Sequence, residues 1–368
     1  MNRRRLLLCA GSIATACLIG LPLALGVRTA AQSLPTRVSD QEFWKMASDF
    51  SEPDGSFRSD NLLSNEIWLQ YVIPDLTKTA KAGRVYMGVG PEQNFTYIAA
   101  LKPAMVFIVD IRRGNLDLHL AYKALFELSA DRAEFVSRLF ARKRPEGLTT
   151  KSTAEEIFAA YSGVASSDAL YNENLKAIQN QLVTKHGFAL SKDDLDGIEY
   201  VYNAFTTFGP RIEYSSTGRG GGFGGFGGGF GGGGRQISYA DLMTSTDADG
   251  RARSYLATEE HFTVLKTLET NNLLVPVVGN FAGPKAIRSV GRYLKEKGAT
   301  VSAFYLSNVE MYLEQDRIWG AFCANVATLP LDETSTFIRS LRGARFGQGG
   351  AGLGSELGPM AAEVSRCR

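Results

Sequence analysis

The chain has 368 residues, 44% of them apolar, with 40 basic and 38 acidic side chains and a formal charge of +2. Four of the arginines (Arg3, Arg4, Arg5 and Arg28) lie in the first 31 residues, so the remainder carries 36 basic against 38 acidic groups. That length can bury a large core, and the near-neutral balance argues against nucleic acid as a partner.

Residues 1–31 combine a basic start, an apolar run from Leu6 to Val27, and small residues at Thr29 and Ala31. This is the pattern of a signal peptide, with Arg3 and Arg4 loosely fitting a twin-arginine signal. The run is also close to bilayer-spanning length, so a retained anchor that associates the protein with the membrane fits too. Both readings place the chain outside the cytoplasm, in the periplasm or on the inner membrane facing out. Cys9 and Cys17 belong to this segment, which leaves Cys323 and Cys367 as either a disulfide or two free thiols. No CxxC pair or cysteine–histidine cluster points to a structural zinc, and no metal is expected.

Residues 32–60 read as an amphipathic lead-in anchored by Phe43, Trp44, Phe50 and Phe57. Ile67, Trp68, Tyr71, Val72 and Leu76 give a helical rhythm from Asn65 to Ala80, interrupted by Pro74. Val85–Val89 then predicts a strand that opens a glycine turn, and Met105–Ile111 predicts a second strand of the continuously apolar type found in parallel sheets. Gly88 and Gly90 let the backbone turn where a side chain would block a ligand, and Asp110 follows at the spacing of a ribose-binding carboxylate.

Helical spacing resumes from Leu116 to Phe140, broken near Ser129. Ser152 with Glu155 predicts a capping box, Tyr171–Lys185 a helix closed by Gly187, and Ser191 with Asp194 a helix ending near Gly209 and Pro210. The block from about 114 to 210 is therefore a helical insertion in the sheet. Residues 218–235 are almost entirely glycine and phenylalanine and are expected to form a disordered loop, as is the glycine-rich tail 343–368. Between them, a helix through Phe262, Leu265 and Leu268 precedes strand Leu273–Val278, helix Pro284–Lys297 and strand Val301–Leu306, a second βαβ unit expected to pair in parallel with the first.

In open α/β sheets ligands bind beyond the carboxyl ends of the strands. The candidate binding residues are therefore Gly88, Gly90, Glu92 and Asn94 after the first strand, Asp110 and Arg112 after the second, Asn280 after the third, and Asn308 and Glu310 after the fourth. No catalytic residue is assigned. Glu92 at a helix N-terminus would repel a pyrophosphate and disfavours dinucleotides. Each candidate has a structural reading as well: the glycines as packing sites, and Asp110 with Arg112 or Arg113 as an ion pair. His119 reads as a core histidine and His186 as a helix cap, while His261 has no visible partner.

The segments GVGPEQNFTYIAAL, FIVDIRR, VVGNFAGPKAIR and FYLSNVEMYL resemble those of a family of uncharacterised bacterial proteins whose fold is similar to class I S-adenosylmethionine (SAM)-dependent methyltransferases. The resemblance runs from about Asn61 to Arg342, apart from the glycine insert. It implies an α/β, Rossmann-like, mostly parallel sheet over residues 61–342, with SAM as the cofactor to test. Tyr86 and Glu92 stand where the methyltransferase motif has its leading acid and third glycine, whereas Asp110 matches the ribose-binding acid. Two functions follow: a SAM-dependent transferase, or a non-catalytic envelope protein using a degenerate pocket to bind a small molecule or partner.

Overall fold

The computed structural model describes residues 33–218, 236–342 and 353–367. The segment expected to be a leader (1–31) and the loop expected to be disordered (218–235), apart from Gly218, lie outside the described residues. Six strands form one sheet: β1 (Val85–Gly88), β2 (Met105–Asp110), β3 (Leu274–Val278), β4 (Val301–Ser307), β5 (Thr336–Arg342) and β6 (Leu353–Pro359). Their order is β3-β2-β1-β4-β5-β6, parallel throughout except that β6 runs antiparallel to β5. The chain is thus an α/β protein.

The first four strands sit where the apolar runs place them, and β1 to β3 are buried at every position. A parallel strand covered by helices on both faces needs apolar side chains on both, which produces an unbroken run instead of an alternating one. The two expected βαβ units pair in parallel, β1 with β4 and β2 with β3. After β3 the chain crosses back over the sheet to add β4 on the far side of β1. The direction of winding therefore reverses between β1 and β4, and a crevice is expected at their carboxyl ends.

The insertion is helical, as expected, with elements at Arg113–Leu128, Arg132–Leu139, Ala154–Ser162, Asp168–Gln179 and Lys192–Phe208. Ser191 and Asp194 form the expected reciprocal cap. The other box is one residue later than expected, made by Thr153 and Glu156. Ser152 is held in the preceding turn, where its hydroxyl accepts from the Thr149 N–H at 3.1 Å and its carbonyl accepts from Arg132. Asn65–Ala80 is also shorter than expected, since only Ile73–Thr79 is helical, with Pro74 in its first turn.

The expectation of a disordered tail is overturned for residues 353–367. They form β6 and the helix Met360–Arg366, and Met360 is fully buried. Two cross-links explain why a glycine-rich segment holds this position. Arg339 on β5 donates to both Glu310 and Glu363, and a disulfide joins Cys323 in the helix Trp319–Val326 to Cys367, 44 residues away. Closing a loop of that length lowers the entropy of the unfolded chain, a stabilisation of about 4 kcal/mol. Cys323→Ser with Cys367→Ser should lose about that amount in urea unfolding, and reductant should produce the same loss in the parent protein but no further loss in the variant.

Candidate functional site

The glycine turn after β1 is packed by its own helix. Asn94, in the helix Gln93–Leu101, donates through Nδ2 to the carbonyls of Val89 and Pro91, both at 2.8 Å, and accepts the Tyr86 hydroxyl on Oδ1 at 2.9 Å. A Cβ at Gly88 would overlap Asn94 Oδ1, so packing alone accounts for this glycine. Gly90 has φ +75°, a conformation that favours glycine, and its carbonyl lies 2.9 Å from His119 Nε2. Burial lowers His119 to about 4, so it is a neutral core imidazole, as its apolar helix suggests.

Beyond β2, Asp110 and Arg112 form a buried fork. Arg112 Nε and Nη2 each approach a different Asp110 oxygen at 3.1 Å, and the Arg112 backbone N–H adds a third bond at 2.9 Å. Arg112 Nη1 also donates to the carbonyl of Asp60. The carboxylate aligned with a ribose-binding acid is thus neutralised within the chain. Glu310 is taken up by the ion pair with Arg339 described above. Asn308 stays half-buried beside Ser307 after β4.

What covers these strand ends is the lead-in segment, whose role the sequence does not show. Ser51 and Glu52 bond both backbone groups of Val278 at the end of β3. The Glu52 carboxylate accepts the N–H groups of Asn280, Lys285 and Ala286 at 3.1, 2.7 and 2.9 Å, satisfying the loop after β3 and the start of the helix Ala286–Glu296. Farther along, the Gly55 N–H reaches the Ile111 carbonyl, Asp54 accepts from the Arg113 N–H, and the carbonyl of Asp60 takes Arg112. Residues 51–66 therefore form a strap passing from β3 over β2 to β1 and β4.

At its far end the strap delivers Glu66 to the winding reversal. Glu66 Oε1 accepts the Tyr305 hydroxyl at 2.6 Å and the Ser307 hydroxyl at 2.5 Å, and Gln93 Nε2 donates to the same Tyr305 hydroxyl at 2.7 Å. Ser64 links the second acid, since its N–H donates to Glu92 Oε1 at 3.1 Å and its hydroxyl accepts the Glu66 N–H at 3.0 Å. Glu92 is fully buried, which pushes its carboxyl up to about 8, with the nearby Glu66 adding to the rise; Glu66 is raised by burial as well. Glu92 Oε2 and Gln93 Oε1 are buried without a hydrogen-bond partner, whereas Glu66 and Tyr97 are also met by the side chains of Ser340 and Ser355.

Sequence reasoning collected Glu92 but missed Glu66, Tyr97 and Tyr305. Tyr305 sits in the mostly apolar run AFYL of β4 and is readable there as a buried polar tip. Glu66 has no local signal, because its partners lie more than 200 residues away. The other histidines have partners too. His186 is more than a helix cap: its ring nitrogens lie 2.7 Å from both Asp40 and Glu127. His261 Nδ1 lies 3.0 Å from the Ser254 carbonyl. Among the described residues, no group of three or more His, Cys, Asp or Glu side chains is placed to hold a metal.

Two predictions follow from this geometry. Gly88→Ala should destabilise the ligand-free protein by about 1–3 kcal/mol through overpacking. In a double-mutant cycle read by urea unfolding, Asn94→Ala should shrink that cost, because the overlapping atom is gone; a Gly88 kept only for a ligand would show no such coupling. Glu92 gives a pH signature. Its folded value of about 8 lies above the ordinary 4.5, so between these values the native state holds a proton that the unfolded state has lost, and stability falls as pH rises. Asp117 and Glu269, both raised by burial to about 8, slope the same way, while His119 acts oppositely below about 6.5. Glu92→Gln should therefore gain on the parent by on the order of 2–4 kcal/mol between about pH 5 and about pH 8.5 in urea titrations.

No curated protein matches the chain. A family model described as "Domain of unknown function (DUF7790)" matches residues 62–196 and 235–356, taking in β1 to β5, the first half of β6 and most of the helical insertion while passing over the glycine-rich segment. With well over half of its length matched, the chain belongs to this family of unknown function.

Proposed function

We propose that this chain is a non-catalytic binding protein of the cell envelope, built on a Rossmann-like, methyltransferase-like core whose nucleoside crevice is filled by its own side chains. The strand order, reversing between β1 and β4, matches the doubly wound nucleotide-binding layout, with its sixth strand turned antiparallel. The envelope placement draws on the leader and on the Cys323–Cys367 disulfide, a bond that persists in oxidising compartments. No described helix is long and apolar enough to cross a membrane.

The observation that carries the non-catalytic reading is the state of Asp110. A SAM-binding site needs that carboxylate free for the ribose hydroxyls, and here Arg112 occupies both of its oxygens. A nucleoside would have to share Asp110 with Arg112, which already takes three of its acceptor sites, or break a buried charged fork, which costs several kcal/mol when one partner is left uncompensated. Asn94 in the turn and Glu52 at the end of β3 add to the same case.

Calorimetry of SAM and its demethylated product against the purified full-length chain tests the proposal. The expected result is no saturable heat at millimolar ligand and no methyl transfer from labelled SAM. Micromolar binding that disappears in Asp110→Ala would overturn it in favour of a SAM-dependent transferase.

A further inference from the structure

The lead-in and the insertion meet at a second charge cluster, near the start of β3. The helix Asp40–Asp49 opens on Asp40, and the helix Arg113–Leu128 brings Lys123 and Glu127. Between them lies His186, just past the widened turn Asn180–Lys185. Its Nδ1 is 2.7 Å from Asp40 Oδ1, and its Nε2 is 2.7 Å from Glu127 Oε2. The other side chains bonded to these carboxylates are donors. Asn272 Nδ2 reaches Asp40 at 2.8 Å, while Lys123 Nζ and Gln181 Nε2 reach Glu127 at 2.8 and 2.6 Å.

Burial raises both carboxyls, but the bonds from Asn272 and His186 to Asp40, and from His186 to Glu127 together with the Lys123 charge, outweigh it and hold each below its ordinary value. Both acids are therefore ionised and can only accept. A neutral imidazole has one N–H and one bare nitrogen, and the bare nitrogen would face a carboxylate oxygen at 2.7 Å. Two ring nitrogens against two acceptors need two protons. The imidazolium and Lys123 then balance Asp40 and Glu127 charge for charge. We propose that His186 is a proton-operated latch, which as an imidazolium fastens the lead-in helix to the insertion and as a neutral ring releases it.

The bond that opens is the one to the lead-in. The Glu127 side chain is 6% exposed and that of Asp40 40%, so the last ring proton is held more strongly toward Glu127. Phe188 stacks on the His186 ring at 5.0 Å and packs against Phe43 and Trp44 of the lead-in at 5.0 and 5.4 Å. The same helix runs directly into Ser51 and Glu52, so the latch anchors the start of the strap. One further acid adjoins the cluster: Glu269, raised by burial to about 8, whose carbonyl accepts from Lys123. The latch is closed between the carboxylate and imidazole ranges and opens as pH rises, whether or not the crevice binds a nucleoside.

Amide hydrogen exchange of the full-length protein, corrected for intrinsic rates, tests this at about pH 6 and about pH 9, either side of the ordinary imidazole range. Relative to β2 and β3, protection of residues 40–52 should fall at least about tenfold at the higher pH. In His186→Gln, which cannot carry the charge, that relative protection should already be low at about pH 6 and should not change with pH. In the parent, labelled-histidine NMR should find both ring nitrogens of His186 protonated at about pH 6 and the Nδ1 proton lost as protection falls; this measurement stands if the variant does not fold. A ring already neutral at about pH 6, or lead-in protection that tracks the strands in the parent, would overturn the latch. So would the same relative loss in His186→Gln, which would assign it to Glu269 and the other buried acids.

Discussion

The structure depends on satisfying the backbone groups at the carboxyl edge of a parallel sheet. A strand that ends beneath a helix start presents amides and carbonyls with no partner in either element, and burying them unpaired is costly. In many α/β proteins a ligand completes this edge. Here side chains do so: Asn94 gathers the carbonyls of the glycine turn, Glu52 takes the amides after β3, and Arg112 closes Asp110 against the strap. The lead-in segment is therefore part of the sheet's closure.

That closure relocates charge. Glu66 and Glu92, beside the strap, are drawn inside, where burial raises both carboxyls, and other acids are buried elsewhere in the molecule. Glu92, Asp117 and Glu269 are each raised to about 8, and each lies against the insertion or the helices that flank it. Where a buried acid has a basic partner it stays ionised. Glu127 sits between Lys123 and His186 and is held below the ordinary carboxylate range by both. The core thus holds two classes of buried acid, paired and unpaired, and the unpaired class includes the two carboxyls at the winding reversal.

Sequence reasoning reached what local physics determines. Strands β1 to β4 were legible because burial on both faces produces uninterrupted apolar runs, and the Ser191–Asp194 cap because both partners lie within one turn. β5 was harder: its TFIRSLR sequence carries Arg339, a buried charge whose partners Glu310 and Glu363 are far along the chain. β6 is held by a disulfide and by pairing with β5, and its glycines and proline give no strand signal. The same limit applies at the site. Gly88, Gly90 and Asp110 were found by spacing, but whether a ligand or a neighbouring side chain fills the space beside them depends on contacts made by the strap.

The strap also constrains when the molecule can be completed. It precedes β1 in the chain, and besides its nearer bonds to Glu92, Ile111, Arg112 and Arg113 it reaches Val278, Tyr305 and Ser307, more than 220 residues later. Contacts of such separation form slowly, because the intervening loop must first be closed. The N-terminal segment is made first and is seated only after β3 and β4 are in place. Until then the backbone groups at the carboxyl end of β3 and the Ser307 hydroxyl of β4 lack the partners the strap supplies. Synthesis therefore delivers the strap long before the strands it must bond, and the amides after β3 are satisfied only when Glu52 returns to them.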